Sequence, residues 1–182
     1  MLRIIAGTFR SRLLKTPSNP ETQPTKDRVK EAIFSSLGQQ IVDKVGLDLF
    51  AGSGAFAFEA LSRGARLMVI NDRLKEAWNV IQENALILKV TERTAIYQLA
   101  YSRLIRQLSE EKRSFDFIFL DPPYAKGLAE EAYKLIENSH LLNDNGIVIV
   151  EDSRKNTWLQ SYPHTRLKDY VYGQTHVSIL WK

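Results

Sequence analysis

The chain contains no cysteine, which excludes a disulfide framework, a thiolate zinc site and a thiol nucleophile. Its three histidines, His140, His164 and His176, have no metal-ligand spacing and read as surface or hairpin residues. No Ser-His-Asp arrangement and no carboxylate pair suited to a hydrolase can be picked out. No run approaches 18 uninterrupted apolar residues, so no transmembrane helix is expected. The opening, MLRIIAGTFRSRLL, scatters arginines where a secretory leader needs an apolar core and a small-residue cleavage site. The expected location is therefore cytoplasmic. Internal repeats and low-complexity linkers are also missing.

What is present is an ordinary globular composition, 44% hydrophobic and 25% charged over 182 residues, enough to bury one domain's core. Trp78, Trp158 and Trp181 read as packing groups within it. The net charge of +4 is unevenly placed. Residues 1–30 hold seven Lys/Arg against Glu21 and Asp27, whereas the remainder holds 18 basic against 19 acidic groups. Such an asymmetry suits a polyanionic partner, most simply a nucleic acid, or else a solvated basic terminus.

The first residues alternate apolar and polar and then reach Pro17-Ser-Asn-Pro20, predicting one or two short strands and a loop. Val29, Ala32, Ile33 and Leu37 have helical spacing, with Thr25 or Asp27 as cap and Gly38 as stop. Strand and helix then alternate. Strands are predicted at Val45–Phe50, Leu67–Ile70, Thr94–Leu99, Phe115–Leu120 and Gly146–Val150. Helices are predicted at Ala55–Arg63, Leu74–Leu88, Leu104–Lys112 and Leu128–Glu137. Leu167–Tyr172 and His176–Trp181 flank Gly173 as an antiparallel pair at one edge. This order predicts an α/β fold, a parallel sheet with helices on both faces.

Two motifs carry chemistry. Asp48-Leu-Phe-Ala51-Gly52-Ser53-Gly54 ends a strand and opens a helix, where a sharp turn must let a ligand approach the backbone. Asp72, at the end of the next strand, can accept both hydroxyls of an adenosine ribose. A dinucleotide would want a third glycine, and Phe56, Ala57 and Phe58 supply none. An acid at Asp48 suits a cation better than a pyrophosphate, and S-adenosylmethionine carries a sulfonium and an ammonium and no phosphate. The second motif is Asp121-Pro122-Pro123-Tyr124 after an apolar strand. Two prolines remove two backbone donors, leaving Asp121 and the Pro122 carbonyl as acceptors beside one aromatic face. That arrangement matches an exocyclic amino group on a flat base.

DLFAGSGA and FDFIFLDPPY, with QPTKDRVKEAIFSSL upstream, resemble the bacterial 16S rRNA (guanine-N2)-methyltransferases, from RIIAGTFRSRLL to the C-terminal hairpin. The resemblance implies a Rossmann-like, seven-stranded S-adenosylmethionine-dependent methyltransferase fold over residues 25–182. Residues 1–24 would form a small basic RNA-binding extension. It implies a monomer that methylates one guanine of 16S rRNA within a small-subunit assembly intermediate, without a metal or a membrane. Cofactor binding then falls to Thr25, Asp48, Ala51, Gly52, Ser53, Gly54, Asp72, Ala100, Tyr101 and Asp121. Asp121, Pro122 and Tyr124 would be catalytic. Arg10, Arg12, Lys15, Arg28, Pro123 and Tyr124 would hold RNA.

The chain departs from the family pattern in several places. Asp72 stands where most relatives have Glu, an alignment supported by the spacing to Asn84. Gln23 replaces an Arg, Ala57 a glycine, and Ala100 an Asp expected at the adenine amino group. An adenine-N6 methyltransferase acting on DNA or RNA, and a non-catalytic RNA-binding relative, remain alternatives at this point.

Overall fold

The computed structural model describes residues 2–17, 24–123, 127–153 and 155–182, with only the backbone of 24–26. Strands β1 (Leu2–Arg3) and β2 (Leu13–Leu14) form a small antiparallel pair, with Leu2 opposite Leu14. Helix α1 (Pro24–Leu37) follows. It begins at a proline, whose missing N–H costs nothing in a first turn, so the helix starts ahead of both Thr25 and Asp27, the expected caps. Gly38, in the left-handed region at φ 53°, ends it as expected.

The alternating segments become β3 (Val45–Asp48), α2 (Ala55–Ser62), β4 (Leu67–Asn71), α3 (Lys75–Leu88), β5 (Thr94–Tyr97), α4 (Tyr101–Glu110), β6 (Phe115–Leu120), α5 (Leu128–Asn138), β7 (Leu142–Asp152), β8 (Arg166–Tyr172) and β9 (Thr175–Trp181). They build one seven-stranded sheet in the order β5-β4-β3-β6-β7-β9-β8. The β3 to β7 pairings are parallel, and β9 runs antiparallel to both β7 and β8. The predicted α/β fold and edge hairpin are both present.

Boundaries move for physical reasons. Strands β3 and β5 stop two residues short of the predicted ends, where the Asn71 side chain takes over the Leu49 carbonyl and both the N–H and C=O of Leu99. Helix α4 starts three residues early, its first carbonyl-bonded turn built on Ala100. Strand β7 extends through the turn-like Asn143-Asp144-Asn145-Gly146, accommodated by a register irregularity against β6.

Each face of the sheet buries its own apolar layer. Helices α1 to α3 cover one, including Ile33, Phe34, Phe58 and Ile81, and α4 and α5 cover the other, including Leu104, Leu108, Tyr133 and Ile136. The N-terminal segment belongs to the first layer. Ile4 and Leu14 are 0% and 2% exposed within it, so this basic stretch is seated against the domain.

The seating is polar as well as apolar. Glu59 on α2 is fully buried; it accepts the Ile5 N–H at 2.8 Å, the Ala6 N–H at 3.0 Å and the Arg63 Nε–H at 2.8 Å. Lys30 Nζ lies 3.4 Å away and donates to the Arg3 carbonyl at 2.7 Å. One turn further, the Ser62 hydroxyl donates to the Ala6 carbonyl and accepts the Phe9 N–H. Gly7, at φ 84°, passes so close to the Ser62 carbonyl that a β-carbon there would collide with it.

Candidate active site

The site forms where parallel strands end, the place at which ligands bind in open α/β sheets. Asp48 closes β3, Asp72 follows β4, Asp121 follows β6 and Glu151 lies near the end of β7. Registry aligns Asp48 with Phe119 across β3 and β6, and Leu120 with Val150 across β6 and β7. Asp48, Asp121 and Glu151 accordingly line one cavity of about 160 Å³, with Gly52, Phe56 and Phe119. Phe56 stacks on Phe119 at 3.8 Å and on Phe34 at 4.7 Å, forming an aromatic wall.

The loop from Ala51 to Gly54 is held rigidly. The Ala51 N–H bonds the Asn71 carbonyl at 2.9 Å, and the Gly52 N–H bonds Asp72 Oδ2 at 2.9 Å. Asn84 on α3 donates to the Ser53 carbonyl, and with the same side chain brackets the N–H and C=O of Lys15. Gly52 has φ 55°, and a β-carbon built on it would meet no protein atom within 4 Å; the space above it is open to a ligand. Gly54, at φ 76°, sits at the start of α2.

Asp48 is the electrostatic singularity. It is fully buried, and among the described residues neither carboxylate oxygen has a hydrogen-bond partner. Burial pushes its pKa up to about 8; the Ala57 N–H draws it down without closing a bond of good geometry, and the charge of Asp72 raises it further. A buried carboxylate with open lone pairs at the edge of a cavity is arranged for a cation. Asp72, by contrast, is fixed by the Gly52 and Leu74 N–H groups at 2.9 Å each, which leaves further lone pairs on both oxygens for ribose hydroxyls. These acceptors fit S-adenosylmethionine, whose ammonium Asp48 would meet and whose ribose Asp72 would hold, with the clearance over Gly52 between them.

Ala100 is exposed and caps α4 with its carbonyl alone, accepting the Arg103 and Leu104 N–H groups. Tyr101 turns toward α5, its ring 5.5 Å from Phe50; partial burial and the neighbouring Glu131 carboxylate raise its pKa to about 12. Pro122 is buried and Pro123 exposed. Gln23 and Tyr124 lie outside the described residues, and only the backbone of Thr25 is described.

The basic candidates separate. Arg10 and Arg28 share an open groove of about 450 Å³ with Arg3, between the N-terminal segment and α1. Arg12 is exposed and does not line that groove. Lys15 points instead to α3, its ammonium 2.7 Å from Glu83. Asp27, Lys30 and Glu151 also line the cavity; the sequence pattern offered Asp27 only as a helix cap and did not offer the other two. A readable signal existed for Lys30, which interrupts the apolar stripe of Val29, Ile33 and Leu37.

Comparison with known proteins agrees with this fold. The chain is 34% identical to YlbH of Bacillus subtilis (strain 168) over 100% of its length and 99% of that protein's, whose name assigns it provisionally to rRNA methyltransferases. It is 36% identical to the ribosomal RNA small subunit methyltransferase D of Escherichia coli (strain K12), over 85% of this chain and 76% of that one. The solved structure of the Escherichia coli yhhF protein superposes with a TM-score of 0.85 at 31% identity, covering 100% of this chain and 97% of that one. The family described as Conserved hypothetical protein 95 matches residues 2–181, and the chain belongs to it.

Proposed function

We propose that this protein transfers a methyl group from S-adenosylmethionine to the exocyclic N2 of a guanine in small-subunit rRNA. The observation that carries the reading is the unpartnered, buried Asp48 on the same cavity as Asp121, at the ends of two adjacent parallel strands. One acid awaits a cation, and the other stands next to a proline carbonyl in the arrangement an aromatic amine requires. Bound there, the cofactor supplies an electrophilic methyl on a sulfonium.

The chain's own residues do the rest. Asp48 holds the ammonium and Asp72 the ribose. Asp121 and the Pro122 carbonyl accept the two N–H bonds of the guanine amine, which directs its lone pair along the line of transfer. Asp121 need not be a strong base, because the amine becomes acidic as it is methylated; fixed electrostatics lower most of the barrier. The target base must leave its stack to enter the cavity, and Tyr124 is the sequence's candidate to cover its face. Arg10 and Arg28, with Arg3, neutralise phosphates outside the cavity, with residues 1–24 as the RNA-binding extension.

The substrate in this reading is 16S rRNA in an assembling subunit, methylated by a monomer in the cytoplasm. Radiolabelled methyl transfer to rRNA, naked and in small subunits, tests the proposal, with calorimetry of S-adenosylmethionine alongside. Label recovered as N2-methylguanosine is expected. Label recovered as N6-methyladenosine, or none with either substrate, would refute it.

A further inference from the structure

Holding the N2 amine does not by itself distinguish guanine from another aminopurine. The rest of guanine's hydrogen-bonding edge is a donor, N1–H, beside an acceptor, O6. In adenine's place for those groups stand an acceptor and a donor. A pocket that selects guanine must therefore present an acceptor and a donor side by side, next to whatever receives the amine, and a carboxylate beside a cation is the charged form of that pair.

The cavity wall supplies that pair from α1. Asp27 and Lys30 lie three residues apart on one face of the helix, and both line the cavity that Asp121 lines. Asp27 Oδ2 is 3.7 Å from the Arg3 guanidinium; Oδ1 is buried and, among the described residues, has no hydrogen-bond partner. Such an oxygen is costly to leave unsatisfied. Lys30 carries three N–H donors. One meets the Arg3 carbonyl at 2.7 Å, and Glu59 lies 3.4 Å away, which leaves a donor for the cavity. Its ammonium is nearly buried and lies within the field of Asp27. Because Glu59 and Arg3 fix its position, this cation is pre-organised.

We infer that Asp27 and Lys30 select guanine, the Asp27 carboxylate accepting N1–H and the Lys30 ammonium donating to O6 of the base whose amine Asp121 receives. This rests on the guanine-N2 reading above and adds how the base is told from its analogues. The N-terminal segment then has a second task. By holding Lys30 through the Arg3 carbonyl, opposite Glu59 of α2, it shapes the base pocket as well as meeting the RNA.

The test compares guanosine with 2-aminopurine riboside, which keeps the N2 amine but lacks both N1–H and O6. Affinities are measured by calorimetry or ligand-observed NMR on the protein saturated with S-adenosylhomocysteine. The parent should prefer guanosine by at least about tenfold. Asp27→Asn, whose amide can donate to the bare N1 of 2-aminopurine, should reduce that preference at least about fivefold. Lys30→Arg retains a donor and should keep the preference. Melting temperature and S-adenosylhomocysteine affinity, both unchanged, confirm an intact fold and cofactor site.

An unchanged preference in Asp27→Asn overturns the inference, and so does a parent that binds guanosine no better than the analogue or not at all. Weakened cofactor affinity with an unchanged base preference would assign Asp27 to the cofactor and also overturn it. Failure of the parent to methylate rRNA would instead refute the functional reading. Methylation of guanine with an unmoved preference refutes only this inference.

Discussion

The two most deeply buried carboxylates among the described residues sit in adjoining elements and have opposite surroundings. Glu59, in the seam beneath the N-terminal segment, meets two backbone N–H groups, a guanidinium and an ammonium. Asp48, at the cavity edge, meets none among the described residues. A buried charge is tolerated when its lone pairs are met, and otherwise the carboxyl takes up a proton. Glu59 is therefore a structural anchor, finished when the chain folds. Asp48 has lone pairs that the fold leaves unmet, and in the proposed reading the cofactor's ammonium meets them. Burial alone would have ranked them equal; the inventory of partners separates them.

The strongest way to break that contrast is to remove the anchor. Glu59→Ala leaves Lys30 and Arg63 without their carboxylate and the Ile5 and Ala6 N–H groups without acceptors. Removing one partner of a buried ion pair typically costs about 3–5 kcal/mol. Urea unfolding should show that loss, and amide exchange should quicken at Ile5 and Ala6 first. A loss below about 1 kcal/mol would mean that Glu59 does not anchor the N-terminal segment, which then rests on its apolar contacts and its bonds to Ser62 and Asn84.

The cavity side should respond in activity rather than stability. Asp121→Ala is expected to lower methyl transfer by about 2–4 kcal/mol of transition-state stabilisation, a factor of roughly 30 to 1000, with the melting temperature little changed. Activity within threefold of the parent would remove Asp121 from the chemistry.

Asp48→Asn sharpens the contrast through pH. The folded-state pKa of Asp48 is raised to about 8, above an ordinary carboxylate value of 3.8. Between those values the native state binds a proton that the unfolded chain releases, so this group's contribution to stability falls as pH rises from 4 to 8. The isosteric amide lacks that dependence. Relative to the parent, Asp48→Asn should gain stability with rising pH, by at most about 1.4 kcal/mol per pH unit. The same variant should bind S-adenosylmethionine more weakly. It should also lose the proton release that accompanies binding to the parent near pH 7, measured by calorimetry in buffers of different ionisation enthalpy. Parallel pH-stability curves would show that Asp48 is ionised in the empty protein.

The basic residues divide in a similar way, since Lys15 already has a partner in Glu83 whereas Arg10 and Arg28 open on a shared groove. Replacing Arg10 and Arg28 with Gln should flatten the salt dependence of RNA binding by roughly 0.7–0.9 in log–log slope for each phosphate no longer neutralised. Lys15→Gln should change it little. Equal effects would erase the distinction between groove and seam.

The sequence revealed the sheet, the glycine loop and the position of Asp121 at a strand end because period, punctuation and strand ends mark them locally. It concealed the residues that tie distant segments together. Glu59 sits in the apolar run AFAFEALS, where a lone acid signals burial but not its partners. Asn84 and Asn71 are ordinary polar residues in their own elements; only the fold brings Asn84 to Lys15 and Ser53, and Asn71 to Leu99. Lys15 and Arg10 are indistinguishable as basic residues until Glu83 approaches one of them. Local pattern encodes which face is buried; the identity of a polar partner across dozens of residues is a tertiary fact.

The smallest effect expected is at Ala100, where the resemblance calls for an acid that would accept from the adenine amino group. The structure adds a second consequence of restoring it. Ala100 is the N-cap of α4, with φ −59° and ψ 137° and no side-chain hydrogen bond to the first turn. Asp is among the favoured residues at such a position, and a carboxylate there also meets the positive end of the helix dipole. Ala100→Asp should thus raise stability by about 0.5–2 kcal/mol through the cap alone. A hydrogen bond to the cofactor's adenine would add about 0.5–1.5 kcal/mol, or roughly two- to tenfold in affinity. The two contributions compete, because an oxygen turned toward the N–H groups of the first turn, Ser102 foremost since Arg103 already bonds the Ala100 carbonyl, is partly withdrawn from the ligand. Unfolding without ligand reads the first, and parallel titrations of S-adenosylmethionine and S-adenosylhomocysteine read the second. Higher stability with unchanged affinity for both would make the acid at this position a helix cap. Tighter binding of both ligands by the same factor would place the side chain at the adenosine they share.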